Sequence, residues 1–465
     1  MCDEPSYPLS VASSDRVEEA SDPQNAARSP TPSGGSQRTA RRSLVTWIDL
    51  AVVLSVAFLA TIVYVDFADP GVTESSDYVS SFYVAGRLAA SREFDRLYPE
   101  PDAVSFRDTA FNDSAHQLLL RLPERTTTNF MYPPIVAWVF APLSVLPPHV
   151  SLLAWQAISV SALGLSCLLL SRTTDVRARD LFLLSSLFFP TFMAVLVGQS
   201  GILFGLVPLS IGYWLVSRGS PLAAGVAWAG LALKPQFLPT AALMSMAYAV
   251  TGRMRLLAGM VLGLCVFAAL NYFLVPEGVL AAWIRSLRVS DAIFSRDDYQ
   301  VPVHLIASIP ADLMMRFSPE ARVSLKPVLY GLSVGLGLLA LWQCRKILRS
   351  RLPEELGRLA VFTTCLAILP LTSPHLLYYD LVTLFPMGLI LLDRQWNRPP
   401  LEGLRRIVIV SWASIGAYFL FFSFVGHFSP SSLILLVILF AAWTLFLQKA
   451  VDVTTMAVWR ATDRD

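Results

Sequence analysis

Residues 44 to 66 read LVTWIDLAVVLSVAFLATIVYVD, an apolar run that opens at Leu44 directly after Arg38, Arg41 and Arg42. At about 1.5 Å per helical residue, such a run is long enough to cross the ~30 Å hydrocarbon core of a bilayer. A secretory signal has a shorter apolar core near its start and a small-residue cleavage site, so this stretch is expected to persist as a first membrane helix. Residues 1–43 are rich in Ser, Pro, Ala and charge and lack helical periodicity, which predicts a disordered tail.

The rest of the chain continues in the same vein. Of 465 residues 54% are hydrophobic and only 15% are charged, where a soluble domain carries roughly 25%. With 36 basic and 34 acidic residues the net charge is +2, so no polybasic field is available to hold nucleic acid. The composition points to a single all-α, polytopic membrane domain, 44–450, followed by a short tail, 451–465. The cysteines Cys2, Cys167, Cys265, Cys344 and Cys365 show no C-x-x-C spacing. Neither disulfides nor a zinc site is inferred.

Apolar segments recur from 44–66 through 133–147, 150–170, 181–197 and onward to 376–392, 407–425 and 431–448. Short cytoplasmic loops collect Lys and Arg. The clusters Arg38/Arg41/Arg42, Arg253/Arg255, Arg345/Lys346/Arg349/Arg351 and Arg394/Arg398/Arg405/Arg406 can all face the cytoplasm if about 12 segments cross. One segment must then fail to span: 181–197, split by Pro190, is the first choice, and 133–147 serves as well. Either way, both termini are cytoplasmic, and the long loops 67–132 and 276–325 lie outside. Gln199, the Ser373-Pro374-His375 turn and the Gly426-His427 turn share that outer face. No strong internal repeat is visible.

The first outer loop is too long for a connector, since connections usually take about 4 to 6 residues. Tyr78, Phe82, Ala85 and Ala89 recur at helical spacing behind Ser76, which can cap a helix start, so an interfacial helix is expected there. Asp77 falls in its first turn, where the helix macrodipole stabilises a carboxylate; that reading needs no catalysis. Asp77 is one of ten acidic side chains between residues 68 and 131, so composition alone does not single it out.

The order of several motifs does. Asp77-Tyr78, Phe82-Tyr83-x-Ala85-Gly86-Arg87, Leu97-Tyr98, Phe130-x-Tyr132-Pro133-Pro134 and Ala141-Pro142-Leu143 are followed by Gly198-Gln199 and Arg218-Gly219. Ala224-Gly225, Leu233-Lys234-Pro235, Ser373-Pro374-His375 and Tyr379-Asp380 complete the series. This ordered set resembles glycosyltransferase family 87, the polyprenyl-phosphate-mannose-dependent mannosyltransferases of the integral-membrane GT-C superfamily. The likeness extends over roughly 44–450.

The resemblance implies a GT-C fold with an acidic catalytic residue in the first outer loop, which makes Asp77 the expected base. Asp69, Glu74 and Asp95 compete with it. The implied donor is a hexose, mannose by the resemblance, on a polyprenyl phosphate, and the acceptor is a glycolipid or glycan at the outer face of the plasma membrane. A polyprenyl phosphate is already a stable leaving group, so neither a cofactor nor a divalent metal is required. Asp77 would take the acceptor hydroxyl's proton in a single, inverting displacement. A cation or imidazole near the departing phosphate would favour the transition state.

His375 is the first choice for that role, the alternative being a helix cap or headgroup anchor. Lys234, Arg87 and, less strongly, His427 could also meet the phosphate, although Lys234 could equally anchor a helix end. Asp380 lies within an apolar run and calls for a partner or an aqueous cavity. It could orient His375, bind an acceptor hydroxyl or pair with an arginine. Gln199 could bond a sugar, and Tyr78, Phe82 and Tyr83 could flank a prenyl chain or stack on a sugar. Hydropathy alone fits a transporter or lipid flippase equally well, with Asp77, Lys234 and Asp380 lining its path.

Overall fold

The computed structural model describes residues 35–294 and 305–389, with side chains from residue 52. The described residues form helices, with one isolated bridge between Ile306 and Leu377. The first helix, Gly35–Ala68, begins before Leu44, so residues 35–43 are helical where a disordered tail was expected. His427 and the segments 407–425 and 431–448 lie outside the described residues.

Four of the described helices are long and apolar enough to cross a membrane: Pro148–Ser171, Arg255–Leu274, Pro319–Arg349 and Glu354–Thr372, the last with a break near its end. Segment 181–197 is broken as its proline foretells. Ala178–Ser186 and Phe189–Leu196 meet at 76°, with Pro190 in the first turn of the second piece. Two other segments show no helix of spanning length: 133–147, the alternative choice for the piece that does not cross, and the described part of 376–392, which was expected to cross. In 133–147 only Pro134–Phe140 is α-helical before Pro142, Pro147 and Pro148 interrupt the pattern. In 376–392 the chain forms a 3-10 stretch, Tyr378–Gly388, that contains Pro386.

Close helix packing relies on glycine. Pro221–Ala229 lies against Arg255–Leu274, where a Cβ on Gly225 would stand 2.1 Å from the Leu256 carbonyl oxygen and one on Gly259 2.0 Å from that of Leu222. Only hydrogen fits at such contacts, the small-residue packing that membrane helices use in place of a hydrophobic driving force.

The long segment after the first helix, residues 69–132, is a packed layer. Asp69 caps Pro70–Glu74, and the chain then turns through a π-helical stretch, Tyr78–Tyr83, into Val84–Ala90. Ser76 accepts a hydrogen bond from the Val79 amide, and Tyr78, Phe82, Ala85 and Ala89 are all buried, so the expected helix and its apolar face are present. That face packs on protein: Tyr78 stacks on Trp155 at 5.8 Å, and Phe82 meets Phe140 at 4.7 Å. The layer is tied down by the Trp283 indole, which donates to the Met131 carbonyl, and by Trp138, which donates to that of Leu274. A second core joins the Leu238–Ala249 helix to Glu354–Ala367 and the 378–389 stretch.

Candidate active site

Two bent stretches of backbone bring the site together. Gly198 turns with φ +69°, in the left-handed region that glycine enters without strain. A Cβ there would stand 2.4 Å from Tyr78 Cβ, so glycine also permits the turn to press against the chain beside Asp77. Three bonds hold the contact: the Tyr78 amide donates to the Val197 carbonyl at 3.1 Å, Trp155 Nε1 to that of Gly198 at 2.8 Å, and the Tyr78 and Ser151 hydroxyls lie 2.7 Å apart. Just beyond the turn, Ile202–Leu206 is π-helical, as Tyr78–Tyr83 is after Asp77. Such wide turns are frequent at functional sites because they rotate neighbouring side chains off the regular helical face.

Gln199 Nε2 donates to Asp77 Oδ2 over 2.7 Å, and Lys234 Nζ donates to Gln199 Oε1 over 3.1 Å. Lys234 Nζ also pairs with Asp380 Oδ1 at 2.5 Å. The second Asp380 oxygen accepts from the Leu377 amide at 3.1 Å and from Gln236 Nε2 at 3.4 Å. Four sequence-expected residues, from distant parts of the chain, therefore form one continuous line. The rings of Tyr132, Phe237 and Tyr379 surround Lys234 Nζ at 5.8, 5.5 and 5.6 Å. Cation–π attraction of about 0.5 to 2 kcal/mol per desolvated contact adds to the ion pair.

Exposure separates the members of the line. Lys234 is 0% exposed and Asp380 1%, whereas Asp77 keeps part of its surface open. Burial raises the Asp77 carboxyl above its ordinary value; hydrogen bonds from Gln199 and Tyr379 and the charge of Lys234 oppose that rise, and Asp380 adds to it. An acid held in this way is a stronger base once ionised. Its competitors have other work or lie apart. Asp69 accepts from the Gly71 amide at 2.9 Å, Glu74 accepts from the Arg121 amide at 2.7 Å, and Asp95 is exposed.

His375 sits partly buried near the same ion pair. Its turn is fixed by Ser373 Oγ, which donates to the His375 carbonyl at 3.0 Å, and by Ser308 Oγ, which donates to that of Ser373 at 2.5 Å. The imidazole packs on Phe294, ring centres 5.3 Å apart. Burial lowers its proton affinity, Asp380 counters this, and Lys234 reinforces it, so the ring is biased toward the neutral form. The Asp380 carboxylate bonds Lys234, Gln236 and the Leu377 amide, so its partner is a lysine where an arginine or His375 was expected.

Tyr78 and Arg87 are not brought to the line. Tyr78 is fully enclosed and braces the Gly198 turn, and Arg87 is exposed on Val84–Ala90 near Tyr83. Sequence reasoning passed over Gln236 and assigned Tyr132 no role at the site beyond its motif. The signal for both was their place in motifs already singled out, two residues after Lys234 and just before Pro133-Pro134.

Residues 130–374, more than half of the chain, match the model of glycosyltransferase family 87. No curated protein and no solved structure matches it. The matched region contains Gln199 and Lys234, while Asp77 lies ahead of it and His375 and Asp380 just beyond it. With apolar helices of membrane-crossing length and a buried polar line that ends in a partly buried carboxylate, the chain belongs to glycosyltransferase family 87 and is a membrane glycosyltransferase.

Proposed function

We propose that the enzyme moves a hexose, mannose in the first instance, from a polyprenyl phosphate carrier to a glycolipid or glycan acceptor at the outer face of the plasma membrane. The observation that carries this reading is the contact from Gln199 to Asp77. It ties the carboxylate of a partly buried residue to the end of a buried polar line, and Asp77 is the member of that line an acceptor hydroxyl would approach. Family membership supports a sugar transfer, and the clustering of basic residues on the opposite side supports an outer-face site.

In the proposed step an acceptor oxygen attacks the anomeric carbon while Asp77 takes the hydroxyl proton. The bond from that carbon to the phosphate oxygen breaks, and its electron pair leaves with the polyprenyl phosphate. One displacement inverts the anomeric configuration. Lys234 is paired with Asp380 and fully enclosed, so among the described residues His375 is the candidate assigned to the charge that develops on the phosphate. A neutral imidazole can donate one N–H there, and an arriving phosphate would raise its proton affinity.

The test is transfer from radiolabelled polyprenyl-phosphate-mannose in membranes, comparing wild type with Asp77→Asn at matched expression. Label passing to an acceptor with wild type alone supports the reading. Equal turnover by the variant removes Asp77 as base, and transfer from another lipid-linked sugar in place of this donor replaces mannose.

A further inference from the structure

The Gln199 amide stands between a group that can only donate and a carboxylate that, once ionised, can only accept. An ammonium has three donors and no lone pair, and an amide NH2 donates while its oxygen accepts. With Oε1 toward Lys234 and Nε2 toward Asp77 both contacts are favourable. Flipped, the amide would set donor against donor at one end and oxygen against oxygen at the other. The orientation of Gln199 is thus dictated by its neighbours, and Lys234 is itself held at 2.5 Å by Asp380. Asp380 is fixed by the Leu377 amide within its own turn. Of the four linked side chains only Asp77 keeps surface open.

We propose that Gln199 is a positioning residue. Locked by the Lys234–Asp380 pair, it holds Asp77 Oδ2 as a hydrogen-bond acceptor and so fixes the orientation in which the carboxylate meets the acceptor hydroxyl. The proposal rests on Asp77 being the base, and it assigns Lys234, Gln199 and Asp380 to the support behind that base in place of contact with the donor. A buried lysine paired at close range presents no open face to a phosphate, which accounts for its complete enclosure.

A donor-only partner at Oδ2 favours the ionised carboxylate, because a proton on that oxygen would meet the NH2 group. The other groups facing Asp77 are Tyr379, whose hydroxyl bonds the carboxylate, Lys234, whose charge also favours ionisation, and Asp380, which opposes it. Tyr132 lies beside Lys234 in the same enclosure.

The experiment is a pH profile of kcat/KM for the full chain in nanodiscs, with a polyprenyl-phosphate hexose whose transfer wild type supports. Wild type, Gln199→Leu, Gln199→Glu and Asp77→Asn are compared. Loss of the donor in Gln199→Leu is expected to move the acid limb up by about one pH unit or more. It should also lower kcat about 100-fold through misplacement of the base, with donor KM unchanged. Gln199→Glu puts a second carboxylate beside Asp77 and should move the limb further; being nearly isosteric, it also serves if Gln199→Leu does not fold. An acid limb unmoved in the folded Gln199 variants, or a loss confined to donor KM, overturns the proposal while leaving Asp77→Asn inactive. An active Asp77→Asn overturns the base assignment itself, and the proposal with it.

Discussion

If Lys234 and Asp380 exist for each other, they should be far more damaging to remove singly than together. Their side chains are 0% and 1% exposed, with Nζ and Oδ1 2.5 Å apart. Lys234→Met leaves a carboxylate buried without its counter-charge, and Asp380→Asn leaves an ammonium in the same state. Breaking a buried pair from either side costs about 3 to 5 kcal/mol. In the double variant neither charge is left, and Asn can still accept from the Leu377 amide. What is lost is the donor to Gln199 Oε1, a buried acceptor whose orphaning costs about 1 to 3 kcal/mol, together with the cation–π contacts to three rings. The double variant is therefore expected to be no less stable than either single one, with a coupling of about 2 kcal/mol or more. SDS-induced unfolding in mixed micelles, run on all four proteins at neutral pH, measures it. Additive single costs, with coupling below about 0.5 kcal/mol, would refute the mutual pairing and return Lys234 to the list of donor ligands.

Four further outcomes are expected. Because burial raises the Asp77 carboxyl and the proposed base must be ionised to act, the acid limb of kcat/KM should lie above 3.8, the ordinary value; a limb at or below that value contradicts the proposal of a buried base. The same shift acts on stability with a definite sign. The folded state binds the proton more tightly, so the contribution of Asp77 is fully present below pH 3.8 and is lost as pH rises through the folded-state value, a slope that Asp77→Asn should flatten in unfolding experiments. Gly198→Ala combines a left-handed backbone, worth about 1 to 2 kcal/mol, with a Cβ 2.4 Å from Tyr78, and should lower turnover well below that of Gly219→Ala, whose φ is +72° but whose Cβ would meet nothing. Equal losses would clear the Tyr78 contact of any role. Gly259→Ala forces a Cβ to within 2.0 Å of the Leu222 carbonyl and should destabilise by about 1 to 3 kcal/mol, whereas Gly335→Ala, in open space on a helix, should stabilise by about 0.5 to 1 kcal/mol in the same unfolding assay.

The helix that follows Asp77 could be read in the chain because its signals are local. Tyr78, Phe82, Ala85 and Ala89 share one helical face whatever lies opposite, and the break at Pro190 follows from ring sterics alone. The misread segments share a different cause. Hydropathy reports that a stretch avoids water, not that it meets lipid or runs straight. Most of Pro134–Phe140 and Tyr378–Gly388 is apolar because it packs inside the protein. Val136, Ala137, Phe140, Val382 and Phe385 are all fully buried, and the prolines that stop each helix were visible but were weighed less than the apolar average.

The same confusion between lipid and protein interior governs the charged residues. Asp380 was recognisable as a carboxylate that an apolar run cannot carry alone, and Lys234 as a lysine at the end of another such run. Neither was paired with the other: Asp380 was left to His375, an acceptor hydroxyl or an arginine and Lys234 to a phosphate or a helix end, because 146 positions of sequence separate them and no local pattern couples them. Yet each posed the same problem with opposite sign. An isolated charge in a low-dielectric interior is stabilised most by the nearest counter-charge that can be buried with it, and a permanent partner does this in every turnover state, whereas a ligand does so only while bound. Two such residues in one membrane protein are therefore better paired with each other before either is assigned to a substrate. On that rule Gln199, which bonds both Lys234 and Asp77, becomes the residue through which the sealed pair acts on the open carboxylate.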